Sequence, residues 1–395
     1  MKKTHLFILF FLIPFFSFAQ RSLDIEDIIL QVNRDSVERN VRELEAFACR
    51  YAPLGNGHIA AYLVNRLHQY GIDNAIVDTI YCGENPFSPG SNYNNWVYNV
   101  KGDIMGADGD VTFILGAHYD AITWIDSIAP GADDNASGCA VLLEIARIFH
   151  LLDIQPMQNI SFMLFDAEEM GLIGAFLDAA KRKANDEPIE LMINNDMVAN
   201  QPDGETWKMC INHRDNAPGY TDLAISLCEQ YTTITPLLLD ARDDHYASSD
   251  QWPYYREGYK AIFFIEEVFS PYYHTPMDIA DHLNMDYLTE MTKFNMAFLY
   301  TVVNRNYVGI GDEISDYSIA IQPNPAVNYI KVTYSSQDFQ PVEAAIYDVS
   351  GRIIRCHTLS DSPAMLDISD LSSGFYIIKL EDGKRNIGVR KFVKG

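Results

Sequence analysis

Between about residue 110 and residue 305, apolar runs of strand length alternate with stripes of helical spacing. "VTFILGAHYD", "ISFMLFDAEE", "IELMINNDM" and "KAIFFIEE" read as strands. The first helix between them carries Val141, Leu142, Ile145, Ile148 and Phe149 on one stripe. "GLIGAFLDAAKR", "YTDLAISLCEQY" and "MDYLTEMTKFNMAFLYTVVNR" are helical as well. Two further helical stretches precede this block, "RDSVERNVRELEAFA" and "HIAAYLVNRLHQYG", the second stopping at Gly71. Strands apolar along their whole length bury both faces. The expected fold class is therefore α/β, with a mostly parallel or mixed sheet sandwiched by helices.

After "RNYVGIGDEISD" the texture changes. Short alternating strands follow, "NYIKVTYS", "EAAIYDVSG" and "GFYIIKLEDG", punctuated by Gly, Asp, Asn and Ser, which predicts a small all-β sandwich. At the other end, Lys2 and Lys3 precede the apolar run "LFILFFLIPFF" and the small residue Ala19, the pattern of a cleaved signal peptide. That run is interrupted by Pro14 and is too short to span a membrane, and no later segment is apolar enough to do so. The expected organisation is a signal peptide over 1–19, an α/β domain over 20–308, a linker over 309–318 and a β-sandwich over 319–395. With 54 acidic against 29 basic residues and a net charge of -25, the chain repels nucleic-acid phosphate. None of the six cysteines has zinc-knuckle spacing.

In an open parallel sheet, sites form outside the carboxyl ends of the strands. There this chain concentrates its acids and imidazoles. "FILGAHYD" ends on His118 and Asp120, "SFMLFDAEE" on Glu168 and Glu169, and "LMINND" on Asp196. "FSPYYHTPMD" supplies His274 from the loop after "AIFFIEE". The turn "PGADDNASG" adds Asp133 and Asp134 just ahead of the first helix. Each feature alone has an ordinary explanation as a helix start, a cap or a polar surface pair. Five of them at successive strand exits point instead to one cluster. Carboxylates gathered together repel unless a cation compensates them. Three carboxylates with two imidazoles suit zinc, and a bridging carboxylate would leave each of two metals one His and one terminal carboxylate.

The set "HYD", "PGADDNASG", "DAEEMGLIGA", "NNDM" and "YHTPMD" resembles the zinc aminopeptidases of peptidase family M28, in the family's order, over about residues 90 to 305. The resemblance implies two zinc ions per chain and a peptide or protein substrate with a free N-terminus. It gives His118 and Asp196 to one zinc, Glu169 and His274 to the other, and Asp134 to both. Asp120 would orient the His118 imidazole, Glu168 would be the catalytic base, and Asp133 would be a structural neighbour. "HYASSDQW" is similar to the family's substrate loop, and implies an oxyanion-stabilising role for Tyr246. Relatives in which two cysteines bracket that tyrosine differ from this chain, which has Asp244 and Ser248 there.

"IQPNPAVNYIKV", "AAIYDVSGRII" and "LSSGFYIIKLEDGKRNIGVRKFVK" resemble the C-terminal sorting domain of type IX secretion cargo. That implies the type IX machinery as partner and a secreted or cell-surface location. The alternatives are a single-zinc glutaminyl cyclase of the same fold, whose turn typically departs from "DDNASG", a carboxypeptidase or dipeptidase of the same clan, and a non-catalytic family member. The retained "GADDNASG" and the full ligand set favour peptide hydrolysis.

Overall fold

The computed structural model describes residues 25–125, 128–202, 204–213, 216–239, 249–304, 320–322, 324–334, 342–348, 352–360, 362–382 and 385–395. The signal peptide expected over 1–19 and the linker expected over 309–318 lie outside the described residues. Helices α1 (Ile25–Ile29), α2 (Arg34–Glu45) and α3 (Gly57–Gln69) lead into strands β1 (Ile76–Glu84), β2 (Asn92–Ile104) and β3 (Thr112–His118). Then come α4 (Gly138–Leu151), β4 (Asn159–Phe165), α5 (Ile173–Ala184), β5 (Ile189–Asn195) and β6 (Lys208–His213). The set closes with α6 (Pro218–Tyr231), β7 (Thr235–Leu239), α7 (Gln251–Arg256), β8 (Ala261–Glu266) and α8 (Met285–Val303).

The eight strands form one mixed sheet in the order β1-β2-β4-β3-β5-β8-β6-β7. Its centre, β4-β3-β5-β8, is parallel throughout. β1 and β2 form an antiparallel hairpin on one edge, and β6 runs antiparallel to β8 near the other. The central strands alternate with period two between two apolar layers. Phe113, Leu115 and Ala117 of β3 join Phe162, Leu164, Leu191, Ile193 and Phe264 in the core that includes α4 and α8. Ile114, Met163, Phe165 and Met192 face the opposite layer, with Ala175, Ala179 and Tyr254 from α5 and α7. Burying such a side chain is worth about 1.5–3 kcal/mol, and a one-residue slip would turn the whole set to the wrong layer. The register therefore fixes which residues emerge at the carboxyl ends of the strands. α2 and α8 begin on asparagine caps, Asn33 accepting from the Ser36 amide and Asn284 from the Tyr287 amide.

The C-terminal strands β9 (Ala320–Gln322), β10 (Tyr329–Thr333), β11 (Val342–Asp348), β12 (Ile353–Leu359), β13 (Ala364–Asp367), β14 (Gly374–Asp382) and β15 (Arg385–Lys394) are all antiparallel. They form a three-stranded sheet, β13-β10-β9, and a four-stranded sheet, β12-β11-β14-β15. Ile330, Val332, Val342, Ile346, Ile378 and Phe392 form a separate core there. All six cysteines are free thiols.

Candidate metal centre

His118 is the last residue of β3, Asp196 directly follows β5, and Glu168 and Glu169 lie in the turn after β4. These three strands are neighbours in the sheet, so one edge gathers all four side chains. His274 arrives from the loop after β8, and Asp134 from the turn ahead of α4. The strand read through "DAEE" stops earlier, at Phe165. Ala167 has a φ of 59°, and the Glu168 carbonyl accepts from the Gly171 and Leu172 amides, so the two glutamates project from a tight turn rather than a strand.

The His118 Nε2 lies 3.1 Å from Asp196 Oδ1 and 3.2 Å from Asp134 Oδ1. The His274 Nε2 lies 2.9 Å from Asp134 Oδ2 and 3.0 Å from Glu169 Oε2. One carboxylate, Asp134, thus faces both imidazoles, one oxygen to each. Glu168 Oε2 is 4.0 Å from the His118 Nε2. Ligand atoms of His118, Asp134 and Glu169, and again of His118, Glu168 and Asp196, lie within 4.8 Å of one another. Asp134, Asp196, His118 and His274 are buried, and Glu168 and Glu169 are partly so.

Asp120 does more than the resemblance implies. Its main-chain oxygen is the nearer partner of the His118 Nδ1, at 3.1 Å, with the carboxylate Oδ1 at 3.5 Å. The carboxylate accepts the amides of Glu168 at 3.0 Å and Glu169 at 3.3 Å. It therefore ties the turn carrying both glutamates to the end of β3.

The turn Ala132–Ser137 leaves helical geometry at Asp134 and Asn135, and the peptide between them is cis. Asn135 Oδ1 accepts the Gly138 amide at the start of α4, and Asn135 Nδ2 donates to the Asn195 carbonyl at the end of β5. A Cβ at Gly138 would stand 2.4 Å from that same carbonyl, so only glycine permits the approach. Asp133 points away from the imidazoles, and its Oδ1 accepts the Ala199 amide at 3.1 Å.

Three residues that shape the site carry no role in the sequence reading. Asp278, the closing residue of "YHTPMD", accepts the amides of Asp133 at 2.9 Å and Asp134 at 3.1 Å. Ser249 donates to Asp196 Oδ2 at 2.7 Å. Arg50 is fully buried and among the described residues donates only to main-chain oxygens: those of Tyr119 at 2.6 Å, Gly131 at 2.7 Å, Leu44 at 3.1 Å, and Pro130. The first belongs to the end of β3 and two others to the Asp134 turn, so one guanidinium clamps both. Adjacency to the quoted motifs could have flagged Asp278 and Ser249, whereas nothing local marks Arg50. Tyr246 lies outside the described residues.

The charges show what this set requires. Burial pushes the Glu169 carboxyl up to about 8, with the Asp134 charge acting the same way and His274 opposing it. Burial raises Glu168 well above the carboxylate range, against the His118 charge and with the charges of Glu169 and Asp196. Burial would lower His274, but hydrogen bonds to Asp134 and Glu169 prevail and hold it at about 10. For Asp134 burial is outweighed by the two imidazoles, which hold it below the usual carboxylate range. Among the described residues no lysine or arginine pairs with Asp134, Glu168, Glu169 or Asp196. Acids gathered this way, with imidazoles as their only cationic partners, fit a divalent cation, and the mix of nitrogen and oxygen donors fits zinc.

The sequence model of the family described as Peptidase family M28 matches residues 99–299. That described as Secretion system C-terminal sorting domain matches residues 320–395. The chain is 25% identical over 296 residues to Leucine aminopeptidase 1 of Fusarium vanettenii, covering 70% of this chain and 72% of that protein. Among solved structures, the LapA aminopeptidase of Legionella pneumophila is similar with a TM-score of 0.61 and 20% identity, over 71% of this chain and 75% of that one. A glutaminyl cyclase of Bacteroides thetaiotaomicron is similar with a TM-score of 0.55 and 21% identity, over 68% of this chain and 98% of that one. At these identities the structural likenesses speak for the fold alone.

Proposed function

The chain belongs to peptidase family M28 and carries a secretion sorting domain, and from that premise we propose that it is an exported di-zinc aminopeptidase removing N-terminal residues from peptides. The observation that carries this reading is the Asp134 carboxylate, set between two imidazoles that each face a further carboxylate. His118 and Asp196 would hold one zinc, His274 and Glu169 the other, and Asp134 both. Zinc, when bound, lowers the pKa of a coordinated water to about 7 and polarises the scissile carbonyl.

The chain's own residues do the rest. Glu168 takes the proton of the attacking water on its carboxylate and returns it to the leaving amine. Asp120 fixes the direction of Glu168 through its amide. Tyr246 would donate to the developing oxyanion. The sorting domain directs the protein through the type IX machinery to the cell surface or beyond, after a signal peptide over 1–19 has brought it across the inner membrane.

Two measurements test the reading. Metal analysis of the purified protein should find two zinc ions per chain, and a peptide with a free N-terminus should be cleaved while its acetylated form is not. Equal cleavage of both, or cyclisation of an N-terminal Gln peptide without hydrolysis, refutes it. Glu168→Ala should lower kcat by about 100- to 10,000-fold at full zinc content, and a variant that keeps most of its activity removes Glu168 as the base.

A further inference from the structure

The two imidazoles of the centre are held by different means. A metal-binding histidine ordinarily donates its second ring N–H to an oxygen, which fixes the ring and strengthens it as a ligand. His118 does so, through its Nδ1 and the Asp120 carbonyl at 3.1 Å. The Nδ1 of His274 is buried and has no hydrogen-bond partner among the described residues. On its Nε2 side the ring faces only the carboxylates of the proposed metal position, so its other side must be held by something else.

Aromatic packing supplies the hold. Tyr273 stacks on His274 with ring centroids 3.7 Å apart and planes 23° apart. Trp124 meets the same imidazole edge-to-face, at 4.8 Å and 83°, and meets Tyr273 at 5.6 Å and 89°. The Trp124 amide also donates to the His274 carbonyl at 3.1 Å. His274 itself has a φ of 52°, a left-handed conformation that a non-glycine residue keeps only when its surroundings enforce it. Trp124 therefore touches His274 at two points, ring and main chain. Trp124 is nonetheless 69% exposed, so core packing does not account for its place there.

We propose that Trp124 is a positioning residue that orients His274 for the second metal position by ring packing, in place of the missing Nδ1 hydrogen bond. The inference rests on the di-zinc reading of the site. Its consequence is an asymmetry between the two positions: the one held by His118 and Asp196 does not depend on Trp124, and the one held by His274 and Glu169 does. Because the indole is largely exposed, replacing it should leave the fold intact.

The test is zinc binding to the full chain, measured by competition with a chromophoric chelator, for the parent, Trp124→Ala, Trp124→Phe and His274→Ala. The binding step lost in His274→Ala identifies the second position. Trp124→Ala should weaken that step by about tenfold, the lower end of what losing an outer partner of a metal-binding histidine costs, with the other step unchanged. Trp124→Phe, which keeps a ring, should recover most of the loss, and Co2+ absorption bands of the second position should shift in the Ala variant alone. Unchanged zinc binding in Trp124→Ala with only KM altered overturns the proposal and makes Trp124 a substrate contact. Equal weakening of both steps overturns it too. A parent that binds fewer than two zinc ions refutes the di-zinc reading itself, and the inference with it.

Discussion

Asp278 offers the sharpest test of how Asp134 is held. Its buried carboxylate accepts two adjacent amides, those of Asp133 and Asp134, and no other described group takes its place. Asp278→Ala leaves both N–H groups of this buried turn without their acceptor, at about 1–3 kcal/mol each. The sum is about 2–6 kcal/mol. Part of it is returned, because burial of the carboxylate is itself unfavourable and pushes its pKa up to about 6. A net loss of about 2–4 kcal/mol is expected, a large share of the roughly 5–15 kcal/mol that stabilises a folded protein. Asp278→Asn keeps one acceptor oxygen and turns an N–H toward the second amide, so it should lose about half as much. At about 2–4 °C per kcal/mol for a domain of this size, the Asn variant should melt about 4 °C below the parent and the Ala variant about 8 °C below. Thermal unfolding by circular dichroism gives the order, and zinc content after dialysis shows whether the turn still presents Asp134. If both variants melt within about 1 °C of the parent and keep their zinc, the anchoring role is wrong.

Two further predictions concern the same ligand set. Asp134→Asn should empty both zinc positions, whereas Asp133→Ala should keep zinc and lower the melting temperature, because it removes the acceptor of the Ala199 amide; metal analysis beside calorimetry separates the two outcomes. Ser249→Ala removes the donor at 2.7 Å from Asp196 and should weaken zinc at the His118 position by about 10- to 100-fold, measured by chelator competition.

The central strands were legible because β3, β4, β5 and β8 are buried on both faces and so read as unbroken apolar runs. The candidate ligands were legible only as a set, since each alone has an ordinary explanation and it is their gathering at the strand exits that points to one cluster. The β1–β2 hairpin escaped notice. Its sequence, "IVDTIYCGE" paired with "NYNNWVYNVKGDI", mixes Asn, Asp and Lys among its apolar residues, as an edge with one wet face permits. The family resemblance gives Asp120 to the imidazole, while its carboxylate turns mainly to the amides of Glu168 and Glu169. Main-chain partners leave no trace in composition or periodicity. The same holds for Asp278, whose two partners are amides 144 and 145 residues away.

Arg50 carries that point to the boundary of the working unit. The segment that matches the peptidase family begins at residue 99, yet the guanidinium that joins the end of β3 to the Asp134 turn comes from well before it. The proposed ligands lie within the matched segment, but the main-chain stretches that carry two of them are joined from outside it. A fragment trimmed to residues 99–299 would possess every donor atom and lack the brace that keeps His118 and Asp134 in range of each other. The smallest piece of this chain able to keep its centre in shape therefore starts upstream of Arg50.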